Sequence, residues 1–185
     1  MCKYIKTGGA DVHKALKSLY ILIFALVFLF CGCQNGGQSK SKSLGTDFSA
    51  DFCAEYHGLE VGGSVTANRQ GVIGINISSP QTIEGISVSY KNGDVELRRD
   101  SIICSADEAY LPDTSFPSLL KDILDGISDG RAVLTTENSD CDCYNLKIEN
   151  EPCIITADKN GRIINAKITN NDLYIEFSDF SPLAD

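Results

Sequence analysis

The chain has 185 residues, room for one domain with a single modest core once a leader and a linker are set aside, and too few for a multidomain assembly. Its 16 Lys and Arg face 25 Asp and Glu, a formal charge of −9, and without the four lysines and one aspartate of the first 32 residues the balance falls to 12 against 24. So acidic a domain offers no electrostatic footprint for nucleic acid or anionic lipid headgroups, and its charge reads as a solvated surface that keeps an exported protein soluble.

Residues 1–18 are polar and carry Lys3, Lys6, Lys14 and Lys17, Leu19 to Phe30 is uninterrupted apolar sequence, and Cys31-Gly32-Cys33 follows. This order matches the n-region, h-region and small-residue cleavage site of a secretory signal. An apolar helix from 19 to 30 reaches only about 18 Å, short of the roughly 30 Å hydrocarbon core, which favours cleavage over a permanent transmembrane anchor. The run Leu29-Phe30-Cys31-Gly32-Cys33 resembles the lipobox of bacterial lipoproteins. That resemblance makes residues 1–32 the signal peptide and Cys33 the diacylated first residue of the mature chain, with Cys31 as the fallback acceptor. Two acyl chains suffice for stable anchoring, so the membrane, reached through the anchor, is the first expected partner. The expected location is the extracytoplasmic side of the cell membrane. Gln34 to Thr46 is Gly, Ser, Gln and Lys without periodicity, a flexible tether, which starts the folded domain at Asp47 and extends it to residue 185.

Within that domain Phe48, Ala50, Phe52, Ala54 and Tyr56 alternate with polar residues. So do Ile73, Ile75 and Ile77; Ile86, Val88 and Tyr90; Tyr144, Leu146 and Ile148; Ile164, Ala166 and Ile168; and Leu173, Ile175 and Phe177. A period of two predicts half-buried strands. Asn92-Gly93 and Asn160-Gly161 lie between such runs and predict two-residue hairpin turns, so pairing is mostly antiparallel between neighbours in sequence. Asn170-Asn171 is a weaker third turn. Gly62-Gly63, between strand patterns and not before a helix, reads as a bulge or tight bend instead of a phosphate cradle. After Pro80, the segment ending at Gly85 fits a short helical turn or a plain loop equally well.

One segment breaks the alternation. Phe116, Leu119, Leu120, Ile123, Leu124 and Ile127 fall on one arc of about 140° at helical spacing, with Lys121, Asp122, Asp125 and Asp129 opposite. Thr114 or Ser115 caps the start, Pro117 fits the first turn and Gly130 suits the end. One such helix cannot cover nine or ten strands laid flat. The fold class is therefore α+β: a strongly curved antiparallel sheet, a half-barrel, wrapped around one main helix. Its apolar concavity is either filled by side chains or open to a ligand.

The runs IGINISSPQTIEGISVSYKNGDVEL and DKNGRIINAKITNNDLYIEFSDF, with a single helix between them, resemble the LolA-like family of lipoprotein-sorting carriers, and most closely its small lipidated Firmicutes members. The match covers roughly residues 47–180 and rests on turn and strand patterns. The resemblance implies an incomplete curved barrel covered by helix and enclosing a hydrophobic cavity, which in the carriers holds acyl chains. It makes Phe116, Leu120, Ile123, Leu124 and Ile127 the candidate cavity lining and a lipid-like molecule the candidate ligand. No catalytic residue carries over. A carrier of the classical type is soluble, whereas a chain tethered through Cys33 is closer to the lipidated acceptor of the same fold.

No constellation for covalent chemistry emerges beside this. Cys141-Asp142-Cys143 could exchange disulfides or bind a soft metal, but it lacks the further ligands a zinc site needs, and five cysteines beyond the anchor cannot all pair. His57, the one histidine after the leader, has no nucleophile motif with it and reads as a turn residue. Glu137, Asp140, Asp142, Glu149 and Glu151 do not match a calcium loop and read as a solvated turn and strand edge. The expectation is a protein that is not an enzyme and uses no metal or cofactor. The alternatives are an envelope protein–protein interaction module with a filled core and a thiol redox protein using Cys141 and Cys143.

Overall fold

The computed structural model describes residues 44–183. The signal peptide of residues 1–32, the lipidation at Cys33 and the tether as far as residue 43 lie outside the described residues. A compact unit spans Ser41–Asp185. Its described part starts earlier than Asp47: Leu44 is buried, and the Gly45 N–H donates to the Gly161 carbonyl at 2.9 Å.

Eleven strands form one sheet: β1 (Phe48–Tyr56), β2 (Leu59–Ala67), β3 (Ile73–Ser79), β4 (Ile86–Lys91), β5 (Asp94–Arg99), β6 (Ile102–Asp107), β7 (Val133–Glu137), β8 (Cys141–Ile148), β9 (Glu151–Asp158), β10 (Ile163–Ile168) and β11 (Leu173–Ser181). A 3-10 turn (Glu108–Tyr110) and the helix α1 (Phe116–Ser128) connect β6 to β7. The spatial order is β6-β5-β4-β3-β2-β1-β11-β10-β9-β8-β7, antiparallel throughout. Two meanders thus meet where the first strand pairs with the last, Phe52 opposite Phe177 and Tyr56 opposite Leu173. The free edges are β6 and β7, and the helix is the chain's path from one edge to the other.

The half-barrel follows from the burial pattern. Strands β1 to β5 and β8 to β11 each bury apolar side chains on one face, and Phe116, Leu119, Leu120, Ile123, Leu124 and Ile127 of α1 are buried against them. The helix ends in a Schellman motif. Arg131 N–H donates to Gly126 O at 2.9 Å and Gly130 N–H to Ile127 O at 3.0 Å, with Gly130 at φ 69°, so the last carbonyls are satisfied where a glycine tolerates the left-handed conformation. Ser115 does occupy the N-cap, but its hydroxyl donates to Ser118 Oγ at 2.8 Å and caps no backbone N–H. The Tyr56 hydroxyl donates to the Thr114 carbonyl, tying the end of β1 to the chain leading into α1.

Several local expectations shift. Asn92-Gly93 makes the expected two-residue turn, with φ of 56° and 84° and Lys91 opposite Asp94. Asn160-Gly161 sits in a longer loop: the Asp158 carboxylate accepts N–H bonds from Asn160 and Arg162, and Asp158 N–H donates to Arg162 O at 2.8 Å. An asparagine at 68 repeats that arrangement between β2 and β3, accepting from Gln70 and Val72. Turns and no helix follow Pro80. In β10 the register slips between Ile163 and Asn165, so Ile163 is buried and Ile164 faces outward, the reverse of the simple alternation. Gly62-Gly63 lies within β2, where the pairing with β3 bulges. A Cβ on Gly63 would stand 2.0 Å from the Asn76 carbonyl oxygen.

Asp142 departs furthest from the sequence reading. It is 2% exposed, on the inward side of β8, and its carboxylate accepts a short charged hydrogen bond from Lys159 of the β9–β10 loop. Glu137, Asp140 and Glu149 stay at the surface as expected. A buried carboxylate without a partner is costly, so Lys159 reaches inward to pair it. This hydrogen bond raises the Lys159 pKa above 10.5. A raised folded-state pKa means that the pair's contribution is fully present below pH 10.5 and is lost as pH climbs through the folded value.

Two outcomes are expected in urea unfolding. Leu120→Ala, at a fully buried helix position, should cost about 2–5 kcal/mol, and Gly63→Ala about 1–3 kcal/mol from overpacking against backbone. Gly126→Ala should also destabilise, because its Cβ would stand 2.6 Å from the buried Leu146 side chain and overpacking costs about 1–3 kcal/mol, against about 1 kcal/mol gained in helix propensity. Lys159→Met should lower the thermal midpoint at pH 7, Asp142→Asn added to it should restore part of the loss, and the gap from wild type should narrow above pH 10.5.

Candidate functional site

The interior is built around α1. Phe116, Leu120, Ile123, Leu124 and Ile127, the residues named as cavity lining, are 0–6% exposed and lie together in the core between helix and sheet. The helix approaches β8 more closely than it does any other strand, and Gly126 permits this: the position of a Cβ there lies 2.6 Å from the Leu146 side chain. On the β1 side the space is taken by rings. Phe116 stacks at 5.5 Å from Phe52 and 6.1 Å from Tyr56, and Phe180 packs 5.1 Å from Phe48. The helix is thus pinned by a glycine on one flank and spaced by aromatic side chains on the other. On the inner face apolar side chains continue to the β6 edge, where Ile102 is 72% exposed, whereas Ile103 of β6 and Val133 of β7, paired with Arg98 and Asn145, face outward and are 53% and 63% exposed.

The cysteines do not converge. Cys141 and Cys143 lie half-buried on the face of β8 opposite Asp142 and Tyr144. Two residues apart on an extended strand, they are separated by about 6.6 Å, whereas a disulfide needs Cβ atoms about 3.5–4.5 Å apart. They cannot join without breaking the strand, so dithiol exchange loses its support. Cys153, fully buried in β9, has its thiol pushed up to about 12 by burial and acts as core packing. His57 occupies the β1–β2 turn at φ 50°, its side chain exposed and 3.8 Å from the Asp172 carboxylate. Among the described residues no group of three or more His, Cys, Asp or Glu is disposed to hold a metal ion, and no helix is long and apolar enough to cross a membrane.

A second concavity lies where the β4–β5 turn, the 3-10 turn and the first half of α1 meet. It has a volume of about 360 Å³, and its wall carries Tyr90, Asp94, Glu108, Asp113, Lys121 and Asp122. Lys121 pairs with Asp125 at 2.9 Å and with Glu108 at 3.4 Å, its Nζ standing 5.7 Å over the Tyr90 ring. Burial raises the pKa of Asp122; Lys121 opposes the rise, and the carboxylates of Asp125, Glu149 and Asp113 add to it. Sequence reasoning placed Tyr90 as one more apolar member of a strand and Asp122 on a solvated helix face; a tyrosine at an inward position close to a turn was the one signal that a polar group would be buried there.

No family model matches the sequence, and no curated protein matches it. The fold is similar to that of an uncharacterized conserved protein of Thermus thermophilus, with a TM-score of 0.51 at 10% identity over 78% of this chain and 83% of that one. PNGF-II aligns at TM-score 0.38 and 7% identity over 76% of this chain and 29% of its own. A LolA superfamily protein of Nitrosomonas europaea aligns at TM-score 0.39 and 11% identity over 77% of this chain and 87% of its own. At 10% identity, what the chain shares with the Thermus protein is the fold.

Proposed function

We propose that this chain is a membrane-tethered binding protein of LolA-like architecture, held through Cys33 on the extracytoplasmic side, whose half-barrel takes a hydrophobic, lipid-like ligand. Binding is by burial of an acyl-like chain between α1 and the sheet, without covalent chemistry, metal or cofactor. The observation that carries this reading is the continuity of the apolar interior. It runs from Leu120 and Ile123 to the β6 edge, where Ile102, on the same face of the sheet as the buried Val95, is left exposed, and an exposed apolar edge ordinarily marks something that docks there. Spacing of the helix from β1 by aromatic rings, which turn more easily than backbone moves, gives a chain a way in.

The tight burial of Phe116, Leu120, Ile123, Leu124 and Ile127 favours a second reading, an envelope interaction module with a filled core. Native mass spectrometry of the Ser41–Asp185 unit separates the two. A bound species released as lipid by organic extraction is the expected result; bare polypeptide after incubation with lipid would leave the filled core. Ile102→Asp should cut lipid loading several-fold while moving stability by no more than about 0.5 kcal/mol, as for other exposed positions, and Ile103→Asp on the outer face should leave loading unchanged.

A further inference from the structure

The two free edges of the sheet are not alike. Strand β7 is blunted: its pairing with β8 slips between Leu134 and Thr136, and it ends in Glu137. A bulge and a charge are devices that keep an edge from pairing further. Strand β6 has no bulge and no proline. It pairs with β5 without interruption from Ile102 opposite Arg99 to Asp107 opposite Asp94, and Ile102 to Ser105 are exposed. Its one charged residue is Asp107, at the last position. In a domain otherwise so acidic, an open edge that is uncharged from Ile102 to Ala106 is a surface on which two copies can meet without like charges facing each other.

The hydrogen bonds this edge offers follow from its ladder. Glu108 N–H donates to Gly93 O at 2.9 Å, and bonded residues alternate along an antiparallel pair, so Ala106, Cys104 and Ile102 turn their main-chain groups toward β5. Ile103 and Ser105 turn theirs to the open side. Side chains alternate as well. Ile102, Cys104 and Ala106 share the inner face with Val95 and Leu97, while Ile103 and Ser105 lie on the outer face beside Arg98 and Glu96.

One register satisfies this edge with itself. A two-fold axis through Cys104, perpendicular to the sheet, sets Ile103 opposite Ser105 of the partner copy, where the two exchange main-chain hydrogen bonds. Ile102 then lies beside Ala106 of the partner copy on the inner face. The ends of the hairpin match too. Arg98 and Arg99 stand at one end of the β5–β6 hairpin, with Asp100 in the turn, and Asp94, Asp107 and Glu108 stand at the other. Antiparallel pairing sets the basic end of each copy beside the acidic end of its partner. A foreign strand would have to bring this charge order with it; a second copy brings it by symmetry.

We propose that this protein pairs with a second copy of itself through β6, joining two half-barrels into one antiparallel sheet about a two-fold axis at Cys104. The pairing uses main-chain groups in the plane of the sheet, so it goes beyond the lipid reading and requires no ligand. Ile102 keeps its place on the inner face, and both apolar interiors open on the same side of the joined sheet. A six-residue edge buries less than the roughly 1,600 Å² of a standard interface, so the dimer is reversible and depends on concentration.

Cys104 reports the register. It meets its copy at a non-hydrogen-bonded position, where Cα atoms stand about 4.5 Å apart, inside the range a disulfide spans. The test follows the full chain in non-ionic detergent by native mass spectrometry over a concentration series. A second sample is treated with oxidised glutathione, each protein disulfide releasing two molecules of reduced glutathione, and its disulfides are mapped by peptide mass. A dimer that grows with concentration is expected, with Cys104 joined to Cys104 at least tenfold more often than Cys53, also exposed but on the central strand β1, is joined to anything. Cys104→Ala should keep the dimer and lose the crosslink. Ser105→Pro, which removes an edge-facing N–H and no bond to β5, should weaken the dimer at least tenfold. Cys104→Lys, which sets two lysines opposite each other, should do the same and serves where the proline disturbs the hairpin. The proposal is overturned by a monomer at every concentration, by a dimer that survives Cys104→Lys, as association through the anchors alone would, or by equal crosslinking of Cys53 and Cys104.

Discussion

Eleven strands laid flat would span about 48 Å across the sheet, while the thirteen residues of α1 make a rod of about 20 Å. An apolar face that wide cannot be covered by one helix unless the sheet curls around it. The curl is made possible by the pairing of β1 with β11, which joins two meanders at the centre and pushes both ends of the sheet out to β6 and β7. The helix then spans the gap between edges that no further strand closes. From this one mismatch follow the half-barrel, the enclosed apolar interior and the exposed edges that bear isoleucine and valine.

The strands that could be read from sequence were those with one wet face and one buried face. Phe48 to Tyr56 and Leu173 to Phe177 show a period of two because every second side chain meets α1 or its neighbours. Strands β6 and β7 bury no residue at all, so no period exists to read, and neither is legible as an element. Ile164 faces outward against its place in the alternation because a bulge changes phase by one residue, and nothing in the side-chain pattern of INAKI reveals a bulge. The helix and its glycine stop were legible because arc and cap agree; the Ser115 cap failed because Ser118, one turn on, offered a competing acceptor.

Polar residues at inward positions were the harder case. Asp142 lies between two cysteines in a stretch rich in acid, and the surrounding charge suggested solvent. Its partner, Lys159, is seventeen residues away and comes close only because β8 and β9 pair in register from Cys141 opposite Asp158. Tyr90 and Asp122 meet by the same long-range logic. Of the expected site, the apolar members were readable as a helical stripe, whereas the acidic concavity depended on a β turn, a 3-10 turn and a helix face arriving at one place.

Methyl NMR of the Ser41–Asp185 unit, with the isoleucine δ1 methyls labelled and lipid added to saturation, addresses the interior most directly. The account predicts large shift changes at Ile123 and Ile127 of the helix and at buried sheet methyls such as Ile155 and Ile175. Changes limited to the exposed Ile102, Ile103 and Ile154, with the buried methyls unmoved, would show that lipid touches only the outside and that the half-barrel is a filled core.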